Sequence, residues 1–593
     1  MKQLKALLPY LRRYRGLIAW GIVCVIVANA ASVGALEFIR LAVDGLKAPG
    51  VTRALILRYA VFFTLLSLAS GVARYGMREI LNGVSRKVEN DLRDDFFAHL
   101  LRLDASFYAT HPTGEIMSRA TNDLAAVRMV AGPAYMYLAD TFILGIFAIT
   151  RMALVDGWMT VWSLAPLLLL PPVTIFFGRI IHERFEKIQE QFGVLSTMAQ
   201  ENLAGQRIVK AYRQEDDQTR RFAGLSRDLM DRNVGLARVS GLFFPLLSML
   251  GGAALAVALW IGGRGIVAGR LTDGDLVLFL MYLGRLIWPM IALGWVVSLF
   301  QRGAASMGRV SRVLEAEPRI VQPGDAVAPE VVRGEIEFDG VGFRYPGTER
   351  WVLRGVSFRI RAGDTVAVVG PTGSGKSTVA ALLVRQYDPT EGQVRLDGIP
   401  LDRWDLGRLR AAVAMVPQDT FLFSTTIEQN LTLGFSESDP AARLARIRAA
   451  ARVARLDETV EEFPDRYQTL LGERGINLSG GQKQRAALAR AVARDARILV
   501  LDDALSAVDT HTEHEILEQM KSVLAGRTSV IVSHRVTAVM HADLILVLDD
   551  GRIVEQGTHD ELLKAGGTYA ALQRRQLLAE EVAGEDLLAA AGD

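Results

Sequence analysis

Three uncharged apolar stretches constrain this chain more than any other feature of its sequence. Residues 16–36, 157–178 and 239–263 contain no Asp, Glu, Lys or Arg. Each stretch is long enough to cross a hydrocarbon layer of about 30 Å, which takes roughly 20 helical residues. The chain of 593 residues is half hydrophobic by composition, so an ordinary soluble protein is not expected.

Three weaker apolar stretches, each carrying a charge, bring the expected number of membrane spans to six. The interrupting charges are Arg58, Asp140 and Arg285. The spans are expected near residues 16–36, 54–75, 131–153, 157–178, 241–263 and 276–300. They form a membrane domain of residues 1–315.

The charges around the spans predict the orientation of the chain. Five basic residues precede the first span, and such residues stay in the cytoplasm: Lys2, Lys5, Arg12, Arg13 and Arg15. Six crossings return the chain to the same side, which predicts a multi-pass protein of the inner (cytoplasmic) membrane with its N-terminus and C-terminal part in the cytoplasm. The charged links 74–128 and 179–238 are expected to be helical extensions into the cytoplasm, and two separate solvated domains are the alternative.

The sequence changes character after about residue 315. Short β-rich runs alternate with helical patterns, which is typical of an α/β domain with a largely parallel sheet. The expected strands are Gly334–Phe338, Thr365–Val369, Gln393–Leu396, Ile498–Leu501 and Ser529–Val532. A linker with three prolines covers residues 316–332, the α/β domain covers 333–578, and an acidic tail covers 579–593.

Charge and cysteine content exclude some classes of function. The chain has 67 basic and 65 acidic residues and a net charge of +2, so no basic field indicates nucleic acid as a partner. Cys24 is the only cysteine, which excludes an intrachain disulfide framework and a thiolate metal site.

A complete phosphate-binding motif, GPTGSGKS, begins at Gly370. It follows the expected strand Thr365–Val369 and opens a helix, which is the context that the motif needs. Its glycines let backbone N–H groups converge on phosphate oxygens. We expect Lys376 to contact the β- and γ-phosphates of ATP, and Ser377 to bind Mg²⁺. The nucleotide-binding residues expected here are Gly370, Thr372, Gly373, Ser374, Gly375, Lys376, Ser377 and Thr378.

Asp502 ends a second apolar strand, ILVLD, and is expected to reach the Mg²⁺ ion. An apolar run that ends in Asp is a weak signal alone. Together with the phosphate loop it is strong, because ligands of open α/β sheets sit at the carboxyl edge of the strands.

The sequence LSGGQ, residues 478–482, gives the chain its resemblance to ATP-binding-cassette proteins. Six spans followed by one cassette resemble an ABC exporter half-transporter over the whole chain. The resemblance implies that Ser479, Gly480, Gly481 and Gln482 contact the γ-phosphate of a nucleotide held by a second subunit. It therefore implies a dimer.

Four further positions match the family's motifs. Gln418 resembles the glutamine that senses Mg²⁺, and Tyr345 resembles the aromatic residue that stacks on adenine. His534 resembles the histidine that contacts the γ-phosphate, and Asp509 resembles a residue of the loop that couples the two sites. The resemblance implies catalytic roles for Lys376, Gln418, Asp503 and His534, and Mg²⁺ binding by Ser377, Gln418 and Asp502.

Asp503 departs from the family pattern, in which a Glu at this position polarises the attacking water. Asp is one methylene shorter, which withdraws the carboxylate by on the order of 1.5 Å, beyond reach of the water. An intact LSGGQ beside an altered base resembles the weak-site subunit of a heterodimeric exporter, whose partner supplies the Glu. The alternative is a homodimeric lipid flippase or drug exporter in which Asp503 acts as the base.

The expected function is the export of amphipathic drugs, lipids or peptides. The alternative class of function is an ATP-gated channel or a regulatory ATPase that does not export. Arg285 would attract an anionic group and Asp140 a cation, or both residues lie near helix ends or pair with each other. Several residues of the last span would line an adaptable apolar cavity or pack between helices: Phe279, Met281, Tyr282, Trp288, Met290 and Trp295.

Overall fold

The computed structural model describes residues 2–47, 51–472, 475 and 477–578 and divides the chain into two compact units. The first unit comprises Met1–Leu101 and Thr113–Ala316, and the second comprises Arg102–Pro112 and Glu317–Asp593. The acidic tail expected at 579–593 lies outside the described residues.

Six long apolar helices form the first unit, as the sequence predicts. Their bounds are Arg15–Leu46, Arg53–Leu100, Thr113–Val155, Gly157–Ala204, Glu215–Val267 and Asp273–Leu314, and we refer to them as spans 1 to 6. They are longer than the expected spans because hydropathy detects only the segment inside the membrane, whereas the polar continuation keeps its helical hydrogen bonds. Span 1 follows two short helical turns, Lys2–Leu7 and Leu8–Arg13.

The long charged links 74–128 and 179–238 are helical with local interruptions. Span 3 contains two π-helical turns, Arg119–Asp123 and Val130–Ala134, and the second includes Pro133. Span 4 contains a 3₁₀ turn at Leu167–Leu169 beside three prolines, which cannot donate to the helical ladder. A short helix, Gln206–Ala211, separates spans 4 and 5.

Span 1 is held to spans 2 and 6 by hydrogen bonds to its backbone carbonyls. Ser70 Oγ of span 2 donates to Ala28 O at 2.8 Å, and Tyr282 Oη of span 6 donates to Val33 O at 3.1 Å. Phe279 and Tyr282 are fully buried, so these two aromatic residues pack between helices. Trp288 is 69% exposed in the single chain.

A short segment of the expected membrane domain belongs to the second unit instead. Arg102–Pro112 includes the helix Ala105–Thr110, which Asp104 caps through a bond from the Ser106 N–H at 2.9 Å. The Asp104 carboxylate also accepts the backbone N–H groups of Arg319 and Ile320. The structure groups this segment with the second unit and not with the rest of residues 1–315, a difference that the sequence could not indicate because hydrogen bonds between distant parts of a chain leave no hydropathy signal.

The second unit contains two sheets. The strands are β1 (Ile336–Phe343), β2 (Leu353–Ile360), β3 (Thr365–Val369), β4 (Glu391–Leu396), β5 (Ile399–Pro400), β6 (Val413–Val416), β7 (Ile498–Asp502), β8 (Thr528–Val532), β9 (Leu544–Asp549) and β10 (Arg552–Gly557). The larger sheet has the order β10-β9-β3-β8-β7-β6 and is parallel except for β10. The smaller sheet has the order β2-β1-β4-β5 and is antiparallel.

The α/β prediction is confirmed, with one correction. The runs predicted at 334–338 and 393–396 are β1 and β4, which pair antiparallel to each other outside the parallel sheet. Apolar content alone does not distinguish the two kinds of strand. In the parallel sheet, all five residues of β7 and of β8 are buried.

Helical segments complete the second unit after residue 317. The α-helices are Lys376–Leu383, Leu406–Ala412, Ile427–Thr432, Pro440–Val453, Asp457–Glu461, Gly480–Arg494, Thr510–Leu524 and His559–Ala565, and short 3₁₀ turns occur at Leu401–Arg403 and Arg466–Gln468. The helices that concern the site are Lys376–Leu383, which follows β3, and Gly480–Arg494, which precedes β7.

Candidate nucleotide-binding site

The phosphate loop connects β3 to the helix Lys376–Leu383. Gly370 and Gly375 have φ of +146° and +102°, which residues with a side chain rarely adopt. A Cβ at Gly370 would lie 2.0 Å from Leu548 O, so the backbone here passes too close to β9 for any other residue. The glycines are thus required by the path of the loop.

The loop leaves two polar groups available for an anion. Lys376 Nζ donates to the carbonyl oxygens of Gly370 and Pro371, at 2.9 and 2.8 Å. Burial lowers the pKa of Lys376, although the nearby carboxylates of Asp503 and Asp502 oppose this shift. Ser374 is 3% exposed, and its Oγ has no hydrogen-bond partner. A buried hydroxyl without a partner is costly, and a phosphate oxygen would satisfy it.

The expected Mg²⁺ ligands Ser377 and Asp502 are adjacent. Ser377 Oγ donates to Asp502 Oδ1 at 3.0 Å. Burial raises the pKa of Asp502, and the neighbouring Asp503 raises it further, whereas Ser377 and Lys376 lower it. A hydroxyl and one carboxylate suit Mg²⁺, which takes its other ligands from water and phosphate. In the described part of the chain, no group of three or more His, Cys, Asp or Glu side chains is arranged as an all-protein metal site.

Asp503 and His534 form a pair beyond the ends of β7 and β8. These strands are parallel neighbours, with Asp502 opposite Val532, so the residues that follow them come together. His534 Nδ1 lies 2.9 Å from Asp503 Oδ1. The backbone N–H of Asp503 donates to Val532 O at 2.9 Å, and its φ is +50°. The pair fixes the direction of the Asp503 carboxylate.

Three other expected residues surround the loop. Tyr345 Oη and Thr378 Oγ1 are hydrogen-bonded at 3.0 Å, and the Tyr345 ring packs edge-on against Tyr387. Tyr345 is half-buried, whereas Gln418 is exposed just after β6. Thr372 and Gly373 lie in the exposed turn of the loop.

The LSGGQ residues begin the helix Gly480–Arg494. Ser479 Oγ accepts the Gln482 N–H at 3.3 Å, and Gln482 Oε1 accepts the Ser479 N–H at 2.9 Å, a reciprocal cap. A Cβ at Gly481 would lie 2.8 Å from Ala507 O, so this backbone also needs glycine. Among the described residues, no hydrogen bond joins 479–482 to the phosphate loop.

Asp509 caps the helix Thr510–Leu524 by accepting the Thr512 N–H at 2.9 Å, and this bond lowers the pKa of Asp509. The sequence reasoning missed Gln484, which is 5% exposed. Gln484 donates to Ser506 Oγ and accepts the Ala507 N–H, at 2.9 and 2.8 Å. It ties the LSGGQ helix to the segment that contains Asp509. The sequence signal that could have indicated this role is a single Gln on the Ala-rich face of the helix Gly480–Arg494.

Comparisons with known proteins agree with this geometry. Residues 18–290 match the family model "ABC transporter transmembrane region", and residues 353–506 match the model "ABC transporter". A probable multidrug resistance ABC transporter ATP-binding/permease protein of Bacillus subtilis (strain 168), YheI, is 37% identical over 94% of this chain and 94% of its own length. The multidrug resistance-like ATP-binding protein MdlA of Escherichia coli (strain K12) is also 37% identical, over 96% and 95% of the two chains.

Two further relatives connect the chain to lipid transport and to a solved structure. An ATP-dependent lipid A-core flippase of Alkalilimnicola ehrlichii is 34% identical over 96% of both chains. The solved structure of a bacterial Atm1-family ABC exporter with ATP bound superposes with a TM-score of 0.79 and 30% identity, covering 95% of this chain and 99% of that one.

The loop geometry, the unpartnered Ser374 hydroxyl and the family matches together establish that the second unit is an ATP-binding cassette. The first unit carries six membrane-spanning helices, so the protein is a multi-pass membrane protein. ABC exporters function as dimers in a membrane with a transported substrate. This chain belongs to the ABC transporter family, and it is an ABC exporter half-transporter whose cassette is an ATP-driven transport ATPase.

Proposed function

We propose that this chain is the weak-site subunit of a heterodimeric exporter that moves amphipathic compounds across the cytoplasmic membrane. The single observation that carries the proposal is the position of Asp503. Its side chain is one methylene shorter than a Glu, and its carboxylate is engaged by His534 at 2.9 Å. A general base must lie about 2.6–3.2 Å from the atom that it deprotonates, so a retreat on the order of 1.5 Å removes most of its effect.

The second half of the proposal is that this chain completes the strong site of its partner. Ser479 and Gln482 hold the N-terminus of the helix Gly480–Arg494 in a capped form. The first N–H groups of a helix bind anions well, and this end suits the γ-phosphate of a nucleotide on the partner's phosphate loop. The partner would contribute a Glu at the position equivalent to Asp503.

At its own site, the chain would bind ATP with Mg²⁺ and hydrolyse it slowly. Ser377, Asp502 and Gln418 would hold Mg²⁺, and Lys376 would hold the β- and γ-phosphates. Tyr345 would stack on adenine after its ring turns from Thr378, and His534 would contact the γ-phosphate. The remaining phosphate contacts are those of the loop 370–378 and, across the dimer, Asp509.

The substrate class rests on the relatives. Two of them are named for multidrug resistance and one for lipid A-core flipping, and both kinds of cargo would combine apolar and polar parts. We place the protein in the cytoplasmic (inner) membrane, because five basic residues precede span 1 and the cassette follows the sixth span.

Single-turnover ATP hydrolysis tests the weak-site proposal. We expect Asp503→Glu to raise the rate at this chain's own site by about 10²-fold, because the longer side chain restores the reach of a general base. Asp549→Glu is the matched control, since Asp549 also ends a strand of the parallel sheet and is exposed. An unchanged rate in Asp503→Glu would contradict the proposal.

Reconstitution and transport test the rest. The full-length chain, reconstituted only with copies of itself, should show weak ATPase activity. Brisk turnover would instead support the homodimeric exporter in which Asp503 is the base. Inside-out vesicles that contain this chain together with its partner subunit should accumulate a fluorescent amphiphile only with ATP, and Lys376→Ala should abolish the uptake. ATP hydrolysis without any uptake would contradict export.

A further inference from the structure

The loop that follows β8 carries His534, and its backbone has no regular structure to hold it. Residues 533–536 are neither helix nor strand, and His534 is exposed among them. His534 Nδ1 lies 2.9 Å from Asp503 Oδ1, and Arg535 is ion-paired with Glu513. These contacts fix two side chains of the loop. The position of the imidazole depends as well on the peptide groups beside it.

A glutamine from the last described segment of the chain holds two of those peptide groups. Gln576 Oε1 accepts the backbone N–H of Val536 at 2.8 Å, and Gln576 Nε2 donates to the carbonyl oxygen of His534. Within the described residues, no other hydrogen bond reaches either backbone group. Val536 is 6% exposed, so its N–H is costly to leave without a partner. An amide suits this place because it donates and accepts through adjacent atoms, whereas a carboxylate only accepts.

The segment that carries Gln576 is itself anchored to the larger sheet. Residues 568–578 are helical, and Tyr569 in their first turn is fully buried. The Glu555 carboxylate on β10 accepts the backbone N–H groups of Thr568 and Tyr569, the latter at 3.1 Å. A carboxylate at a helix N-terminus binds N–H groups that have no partner within the helix. Gln576 therefore extends from a helical segment whose start is fixed.

Close packing does not support the loop on every side, because a cavity of about 700 Å³ adjoins it. The cavity lies between the helix Thr510–Leu524 and residues 534–543, and its lining includes His534, Arg535 and Gln576. Empty space provides no dispersion contacts that would hold a backbone in place. The course of the chain at His534 therefore depends on hydrogen bonds, and Gln576 supplies those of the two peptide groups described above.

We propose that Gln576 is a positioning residue for His534, and that the C-terminal helical segment thereby determines how well the cassette distinguishes ATP from ADP. The inference rests on the proposed contact between His534 and the γ-phosphate. The carbonyl oxygen that Gln576 holds is two bonds from the Cα of His534, so a shift of this peptide group displaces the imidazole. A displacement of about 1 Å is enough to lose a contact with phosphate. ADP has no γ-phosphate, so its binding does not depend on this contact.

Nucleotide binding to the full-length chain in nanodiscs tests this role. The calorimetric titrations use ADP and the non-hydrolysable ATP analogue AMP-PNP, which has a γ-phosphate, each with Mg²⁺. We expect Gln576→Leu to weaken binding of AMP-PNP by about tenfold, as for the loss of one hydrogen bond to a charged group, and to leave ADP binding unchanged. An equal loss for both nucleotides, or no loss for either, would overturn the inference.

The matched control is Gln573→Leu. Gln573 is a half-buried glutamine of the same helical segment, and its side chain makes no hydrogen bond in the described part of the chain. The affinities of Gln573→Leu for AMP-PNP and for ADP should equal those of the native chain. A selective loss of AMP-PNP binding in this variant as well would overturn the specific role of Gln576.

Hydrogen exchange in the ligand-free chain gives a readout that needs no nucleotide. Gln576 protects the Val536 amide, so exchange in a peptide that covers residues 533–536 should be at least about tenfold faster in Gln576→Leu. A peptide from the buried strand Thr528–Val532 should exchange at the native rate. Unchanged exchange at 533–536, or faster exchange in both peptides, would overturn the inference, because the first shows no hold on the loop and the second shows general destabilisation.

His534→Ala separates this inference from the proposed function. If this variant keeps the native preference for AMP-PNP over ADP, the proposed γ-phosphate contact of His534 fails, and the positioning role fails with it. A loss of preference in His534→Ala but not in Gln576→Leu would overturn the positioning role alone. In the double variant, Gln576→Leu should cause no further loss, because it acts only through His534. Additive losses would overturn the inference.

Discussion

Arginines in two regions of the membrane spans have different kinds of partner. The first region, which we call the outer ends, comprises the ends of spans 1 and 3 and the start of span 6, and the second is the middle of span 6. At the outer ends, Arg40 Nε donates to Glu37 Oε2 at 2.9 Å, and Arg40 Nη1 lies 3.3 Å from Asp275 Oδ1. Arg151 Nε donates to the same Glu37 at 2.9 Å. Deeper in the unit, Arg285 reaches only a backbone carbonyl. Arg40 and Arg151 therefore join spans 1, 3 and 6 through carboxylates, whereas the charge of Arg285 is not compensated by a carboxylate among the described residues.

The difference separates cations that hold helices together from cations that are available to a ligand. A carboxylate neutralises a guanidinium and satisfies its donors, so little attraction remains for another anion. A carbonyl satisfies a donor but leaves the charge. The cassette offers the same arrangement, because Lys376 also rests on carbonyl oxygens, those of Gly370 and Pro371, in the loop that binds phosphate.

The largest effect should follow from removing the Lys376 side chain, whose charge is held by carbonyl oxygens in the phosphate loop. We expect Lys376→Ala to weaken ATP binding or turnover by about 10²-fold or more, because no other cation is placed in the loop. Lys521→Ala is the control, since Lys521 is exposed and paired with Glu518 at 2.6 Å. Titration with a fluorescent ATP analogue measures the affinity. If Lys376→Ala and Lys521→Ala bind the analogue equally well, a cation held by carbonyl oxygens is not what binds the anion.

Removing the shared carboxylate at the outer ends should affect stability instead. Glu37→Gln leaves Arg40 and Arg151 without their common partner, and we expect a loss of about 2 kcal/mol, reduced from the buried-pair value because these side chains are partly exposed. Thermal unfolding in detergent measures it. Glu79→Gln, an exposed position of span 2, should change little. If both variants unfold at the same temperature, the outer network is not structural.

In the cassette, the buried carboxylate of Asp502 should make the stability of the ligand-free protein depend on pH. Burial raises the pKa of Asp502, so the ionised carboxylate destabilises the ligand-free protein. This destabilisation grows as the pH rises from the ordinary Asp pKa of 3.8 through the raised pKa. Asp502→Asn should therefore raise the Tm of the ligand-free protein at pH 7 and much less near pH 4. A Tm gain that is the same at both values would contradict this account.

Asp104 should show the opposite pH dependence with a smaller effect. Partial burial acts to raise its pKa, but hydrogen bonds from Ser106 and the N–H groups of Arg319 and Ile320 outweigh it and hold the pKa below the ordinary 3.8. Its stabilisation is present above that ordinary value and is lost as the pH falls through the lowered pKa. Asp104→Asn should lower the Tm at pH 7, and the difference from the native protein should shrink in acid. A constant difference would exclude the charge as the cause.

The sequence predicted those parts of the molecule whose cause is local. The six spans followed from apolar length, and the phosphate loop from glycines between a strand and a helix, because both depend on neighbouring residues. The pairing of β1 with β4 and the place of Arg102–Pro112 depend on partners far along the chain. The role of Gln484 was missed for the same reason, since it stands in no motif and is defined by its hydrogen bonds to Ser506 and Ala507.

The assignment of Arg102–Pro112 has a consequence for how the protein is divided in the laboratory. The polypeptide passes between the units three times, after Leu101, after Pro112 and after Ala316. A cassette expressed from Glu317 onward would lack eleven amino acids of its own fold and would leave the N–H groups of Arg319 and Ile320 without their carboxylate. Excised cassettes should therefore be less stable than the same residues in the intact chain, and adding a peptide of sequence 102–112 should restore part of the deficit.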